Sequence, residues 1–184
     1  MNNNTTTLHK DKYYLLKCGI VIAIFAFIIL MIHKPMYIIS DDMVNLDLGV
    51  NFSNVFSYIQ NRYYHIGKFM CDGMAFVLYC IPFKLWKILD TLAYVAMLLL
   101  IWDMFTDRSI KMLAVTATGI CLFPITLYMS SAGYIMTTTN YIYPVIALLF
   151  AYEPVVRSLQ GRRVRIPLYV ISVLGLIYAS NQDQ

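Results

Sequence analysis

From Cys18 to Ile32 the chain carries no charged residue, and similar apolar runs recur to its end. A run of this length admits only a buried core helix or a membrane span. The whole sequence decides between them. Of 184 residues 60% are hydrophobic and only 13% are charged. A soluble domain of this size carries roughly twice that charge fraction. The expected fold class is therefore an all-α, polytopic membrane protein. The net charge of +4 does not point to nucleic acid, because the basic residues sit in short loops between apolar runs. Cys18, Cys71, Cys80 and Cys121 lie inside apolar segments without metal-ligand spacing and read as small buried hydrophobes.

Residues 1–12 are polar, Asn/Thr-rich and expected to be a disordered cytoplasmic N-terminus. Residues 13–184 read as one helical transmembrane domain. Lys10, Lys12 and Lys17 precede the first run, and His33-Lys34-Pro35 offers no small-residue cleavage site, so residues 13–32 read as a retained helix. The stretch 33–68 is the longest polar one and is expected to be an external loop. Within it Leu48, Phe52, Val55, Phe56, Ile59 and Tyr63 recur at helical spacing, opposite Asn51, Asn54, Ser57, Gln60 and Arg62. That pattern predicts an amphipathic helix, lying in the membrane interface or packed on the protein itself.

Further spanning segments are expected at about 69–83, 88–105, 139–156 and 166–180. The stretch 112–136 is interrupted by Gly119, Pro124 and Gly133. If it crosses once, the loop holding Arg157, Arg162, Arg163 and Arg165 falls outside. If it is a re-entrant hairpin, that loop is cytoplasmic and nine of the fourteen Lys/Arg are inside, as the positive-inside rule prefers. The expectation is about five spanning helices plus a re-entrant hairpin, with six plain spans as the alternative. The same arrangement brings Asp103 and Asp107 to the Asp41 side.

Ser40-Asp41-Asp42 follows the first apolar run directly. An acid at the centre of a spanning helix costs about 2.5–3.5 kcal/mol, so acids persist where water, a cation or a reacting group meets them. The pair reads as the edge of a site at the membrane surface, or as an acidic helix-capping turn. Two carboxylates in sequence also suit a hard divalent cation with oxygen ligands. Asp72 is a further acid near the same face. Lys68 reads as a phosphate contact or a snorkelling helix-end lysine. His65 reads as a ligand or as interfacial packing. Asn140 and Tyr141 read as substrate contacts or as the cap of the next helix.

The order of these features resembles GT-C-type integral-membrane glycosyltransferases, in particular a bacterial branch without assigned function. The carrying residues are Ser40-Asp41-Asp42, then Tyr63-Tyr64-His65-Ile66-Gly67-Lys68, then the Lys/Trp turn from Phe83 to Asp90. Thr137-Thr138-Thr139-Asn140-Tyr141-Ile142-Tyr143-Pro144 and the polar cluster Ser180-Asn181-Gln182-Asp183 complete the order. The resemblance spans most of 13–184. Two departures matter: Lys68 stands where the family has Arg, and Met136 and threonines stand where it has Trp and Gly. Lysine cannot grip a phosphate bidentately. Members of the family are longer, so the chain looks like an N-terminal portion.

The resemblance implies transfer of a sugar from a polyprenyl-phosphate donor to a cell-surface glycan acceptor at the outer face of the cell membrane. It implies Asp41 and Asp42 as catalytic carboxylates, with a divalent cation as an option. It implies Arg62, His65, Lys68, Asn140, Tyr141 and Asn181 around the substrate and its phosphate. The competing readings are a transporter or flippase component and a non-catalytic membrane fragment.

Overall fold

The computed structural model describes residues 13–65, 69–122 and 133–181. The expectation for residues 1–12 and the position of Lys68 lie outside the described residues. The described chain is helical, with no strand among the described residues. Its helices are α1 (Tyr14–His33), α2 (Ser40–Asp47), α3 (Val55–His65), α4 (Phe69–Tyr79), α5 (Phe83–Phe105), α6 (Ile110–Leu122), α7 (Tyr134–Leu159) and α8 (Ile166–Ser180).

Three of them, α1, α5 and α7, are long and apolar enough to cross a membrane. At 1.5 Å per residue α1 alone reaches about 30 Å, the thickness of a bilayer core. Its buried residues, Cys18, Phe25, Ile29 and His33, follow helical spacing and face α5 and α6. Leu16, Ile20, Ile24 and Phe27 point outward. A helix that is apolar on every side, yet buried on one, has lipid as the natural medium for the rest.

The bundle has two ends. At one, the Tyr14 hydroxyl donates to the Arg108 carbonyl at 2.7 Å, and Arg162 reaches Asp103 at 2.8 and 2.9 Å. At the other, Lys87 Nζ donates to the Lys34 and Met36 carbonyls at 3.1 and 2.7 Å, closing the chain just after α1. We call these the Tyr14 end and the His33 end.

Two expectations change on this frame. Helix α4, with 11 residues, is only about 17 Å long. It is anchored by Met70 N–H on Asn181 Oδ1 at 2.8 Å and by the Tyr79 hydroxyl on Asp42. Both anchors belong to the His33 end, where α5 also begins, so 69–83 does not run from end to end. Gly73 instead faces Ile59, whose side chain would lie 3.5 Å from a Cβ placed there, and α3 and α4 pack as a hairpin. The second change concerns 112–136. Helix α6 starts at the Tyr14 end, where Trp102 Nε1 donates to the Ser109 carbonyl at 3.0 Å. Gly133 then stands against Asp42 at the His33 end. A re-entrant hairpin needs both mouths at one end, and this stretch does not have them. Asp103 and Asp107 consequently lie at the end opposite Asp41.

Helix α7 is irregular near its start. Thr138–Ile142 form a π-helical turn, just ahead of Pro144. Proline has no N–H for the Asn140 carbonyl, and the wider turn accommodates that missing bond. Helix α8 runs back along α7 through small residues: Ser172 Oγ donates to the Ala151 carbonyl at 2.6 Å, and Gly175 lies against the Ala147 carbonyl. Such close backbone approach is how helices associate without a hydrophobic driving force between them.

Candidate functional site

Asp41 and Asp42 are neighbours in the first turn of α2, entered through Ser40 at φ +52. Consecutive side chains on a helix point about 100° apart. The two carboxylates accordingly take opposite environments. Asp42 is fully buried. Its Oδ1 accepts from the Tyr79 hydroxyl at 2.8 Å and from Met136 N–H at 3.0 Å, and its Oδ2 accepts from Ile135 N–H at 2.8 Å. It thus caps the first turn of α7 from another helix, satisfying N–H groups that have no partner within their own helix. Burial pushes the Asp42 carboxyl above the usual carboxylate range, and these donors oppose the shift. Gly133 makes the approach possible. With φ at +90, it presents no side chain where a Cβ would stand 2.5 Å from Asp42 Cγ.

Asp41 is exposed and lines a cavity of about 170 Å³ with Val44, Asn45 and Met136. The expected carboxylate pair is therefore split. A cation shared by both is not supported, since Asp42 already holds three donors inside the fold. Among the described residues no group of three His, Cys, Asp or Glu could hold a metal ion.

The remaining expected residues distribute around the same end. Asn140 is buried in the π turn, with Nδ2 donating to the Met136 carbonyl at 2.9 Å. Tyr141 is exposed. Both open onto a groove of about 370 Å³ between α7 and α8, lined below them by Pro144, Val145, Leu148 and Leu176. Asn181 holds the start of α4 through Met70. Arg62 and His65 fall on α3. Asp72 is buried on α4 and does not line the Asp41 cavity.

No protein-family model, curated protein or solved structure matches this chain. Chemistry must therefore be read from the side chains themselves.

One constellation escaped the sequence reading. His33 and Asp90 are both fully buried between α1 and α5, with Nε2 to Oδ2 at 2.6 Å. The Ile29 carbonyl lies 2.7 Å from Nδ1 and only accepts, so that nitrogen carries a proton. Trp86, Asp90 and Tyr94 follow one another at four-residue spacing on α5, with both aromatic rings edge-on to His33 at 5.6 and 6.1 Å. Trp86 Nε1 and the Tyr94 hydroxyl have no hydrogen-bond partner. The signal was available: Asp90 is an acid inside an apolar run, the position where an acid is most costly. Asp41 and Asp42, by contrast, lie just outside such a run.

Proposed function

We propose that the chain is a GT-C-like membrane glycosyltransferase, or part of one, working at the His33 end of the bundle. The reading rests chiefly on Asp41, an exposed carboxylate on a cavity that it shares with Asn45 and Met136. The Met136 carbonyl in turn holds Asn140, where the apolar groove between α7 and α8 begins. A carboxylate near an apolar groove is what transfer from a lipid-borne donor needs.

In this reading Asp41 is the general base. It takes the proton of an acceptor hydroxyl as that oxygen bonds to the anomeric carbon and the polyprenyl phosphate leaves. Asp42 is a positioning residue that fixes α2 against α7. The groove below Asn140 and Tyr141 takes the first units of the polyprenyl tail. Lys68, Arg62 and His65 are the candidates for meeting the phosphate, whose developing charge needs a cation. No step is routed through a divalent ion.

The membrane placement belongs to the same proposal. Helices α1, α5, α6, α7 and α8 cross, while α2, α3 and α4 form a cap at the His33 end. Of the described Lys/Arg, seven lie toward the Tyr14 end: Lys17, Arg108, Lys111, Arg157, Arg162, Arg163 and Arg165. Four lie toward the other: Lys34, Arg62, Lys84 and Lys87. The positive-inside rule then puts the Tyr14 end in the cytoplasm and the cap at the outer face of the cell membrane.

The test uses membranes containing the chain and a panel of radiolabelled polyprenyl-phosphate pentoses and hexoses. Label should pass to a glycan extract, and Asp41→Asn should lower the rate about a hundredfold or more without lowering thermal stability. No transfer from any donor, or an unaffected Asp41→Asn variant, refutes the reading.

A second reading, a transporter or flippase component, is favoured by the His33–Asp90 pair. Ionisable groups wholly buried between two long apolar helices often mark an ion or proton path. It predicts that Asp90→Asn abolishes solute uptake or lipid flipping while Asp41→Asn does not.

A further inference from the structure

The Tyr14 end carries more positive charge than its own acids absorb. Its described acids are Asp103, Asp107 and Glu153. Asp103 is a hub: Arg162 grips both its oxygens, Arg108 Nε lies 2.9 Å from Oδ1, and Arg157 lies 3.3 Å from Oδ2. Arg157 also pairs with Glu153, four residues earlier, at 2.5 Å. Asp107 has Lys111 in its field, and the Ser109 backbone N–H holds its carboxyl below the usual range. Beyond Lys17 on α1, Arg163 and Arg165 remain, exposed and without a carboxylate partner among the described residues.

Their setting is specific. The segment 162–165 is non-helical, and Arg165 is extended at φ −92 and ψ 147. The loop is bracketed by Leu159 at the end of α7 and Ile166 at the start of α8, which are 84% and 80% exposed. Two exposed arginines thus lie on a short loop flanked in the chain by two exposed apolar residues, where two apolar helices meet. Guanidinium forks match phosphate oxygens bidentately. The flanking apolar residues match acyl chains. A soluble phosphate satisfies only the first feature, and a zwitterionic lipid brings a competing cation.

We propose that Arg163 and Arg165 bind the phosphate of an anionic phospholipid, with its acyl chains against Leu159 and Ile166. The site lies at the opposite end from Asp41 and is distinct from the donor groove. Its lipid would anchor the α7–α8 hairpin in the leaflet on the Tyr14 side.

The experiment titrates the purified full chain, in an uncharged detergent, with phosphatidylglycerol, phosphatidylcholine or inorganic phosphate, reading the rise in thermal midpoint. Anything binding the folded form raises that midpoint by mass action. Phosphatidylglycerol should act at about thirtyfold lower concentration than phosphatidylcholine, the ratio expected for two arginines at a charged surface. Arg163→Ala with Arg165→Ala should erase the ratio, and the double lysine variant, which keeps the charge but loses the bidentate fork, should keep only part of it. Inorganic phosphate should do nothing. Equal response to the two lipids, a ratio that survives the double alanine variant, or stabilisation by inorganic phosphate alone would each overturn the proposal.

Discussion

Replacing Asp42 by alanine removes one carboxylate and strands three donors: the N–H groups of Ile135 and Met136 and the Tyr79 hydroxyl. Hydrogen bonds to a charged group contribute about 1.5–3 kcal/mol each, and a buried donor left unpaired costs about 1–3 kcal/mol. The three share one acceptor and do not add fully. Water entering from the Asp41 cavity recovers part of the loss, so a net cost of about 3 kcal/mol is reasonable. For a chain of this size that lowers the thermal midpoint by about 6–12 °C. Asp42→Asn keeps one acceptor oxygen but turns an amide N–H toward backbone N–H groups, and should fall about halfway. Asp41→Ala, at an exposed position, should stay within about 0.5 kcal/mol of wild type.

Near-ultraviolet circular dichroism on the purified protein in detergent follows the transition. An Asp42→Ala midpoint within a degree of wild type, or an equal loss in Asp41→Ala, would refute the assignment of one acid to the fold and the other to the surface. The pH dependence gives a second handle. A carboxyl raised by burial binds its proton more tightly folded than unfolded, so its contribution to stability falls as pH rises above the ordinary value of 3.8 toward its own. Wild type minus Asp42→Asn should show that decline, and an opposite slope would contradict it.

Three further outcomes follow from geometry. Gly133→Ala drives a Cβ into the Asp42 carboxyl and strains a residue at φ +90; it should cost about 2–4 kcal/mol, and less in an Asp42→Ala background, which a double-mutant cycle by thermal unfolding would read. Asp90→Ala or His33→Ala alone leaves a buried polar group uncompensated and should cost about 3–5 kcal/mol, whereas replacing both with leucine should be close to neutral; denaturant titration distinguishes the two. Gly175→Leu cannot fit against the Ala147 carbonyl; it should separate α8 from α7, and cysteines placed at Ala151 and Ser172 should then cross-link more slowly than in the parent.

The helical class and the three long apolar helices were legible because charge depletion over 15 or more residues has few structural explanations. The amphipathic pattern of 48–63 marked a helix that the structure forms only over Val55–His65, residues 48–54 being non-helical. Where α4 ends was not legible: an apolar run ending in proline reads the same whether it crosses or folds back, and only Met70–Asn181 and Tyr79–Asp42 fix it. The direction of α5 was lost with it. In the Ser40-Asp41-Asp42 stretch the fold buries one acid and exposes the other. What its sequence could not carry is the 100° between successive side chains relative to an unknown neighbour, which buries one acid and exposes the next. The His33–Asp90 contact joins positions 57 apart, and no local pattern announces such a partner.

The bond from Ile135 N–H to Asp42 spans 93 residues, and that distance has a meaning in time. At ribosomal rates of about 5–20 residues per second, Asp42 emerges about 5–20 s before its partner. During that interval three more apolar segments are made, and the backbone donors that Asp42 uses in the folded chain do not yet exist. The loop after α1 therefore cannot settle early. The cap at the His33 end is complete only once the start of α7 has been made.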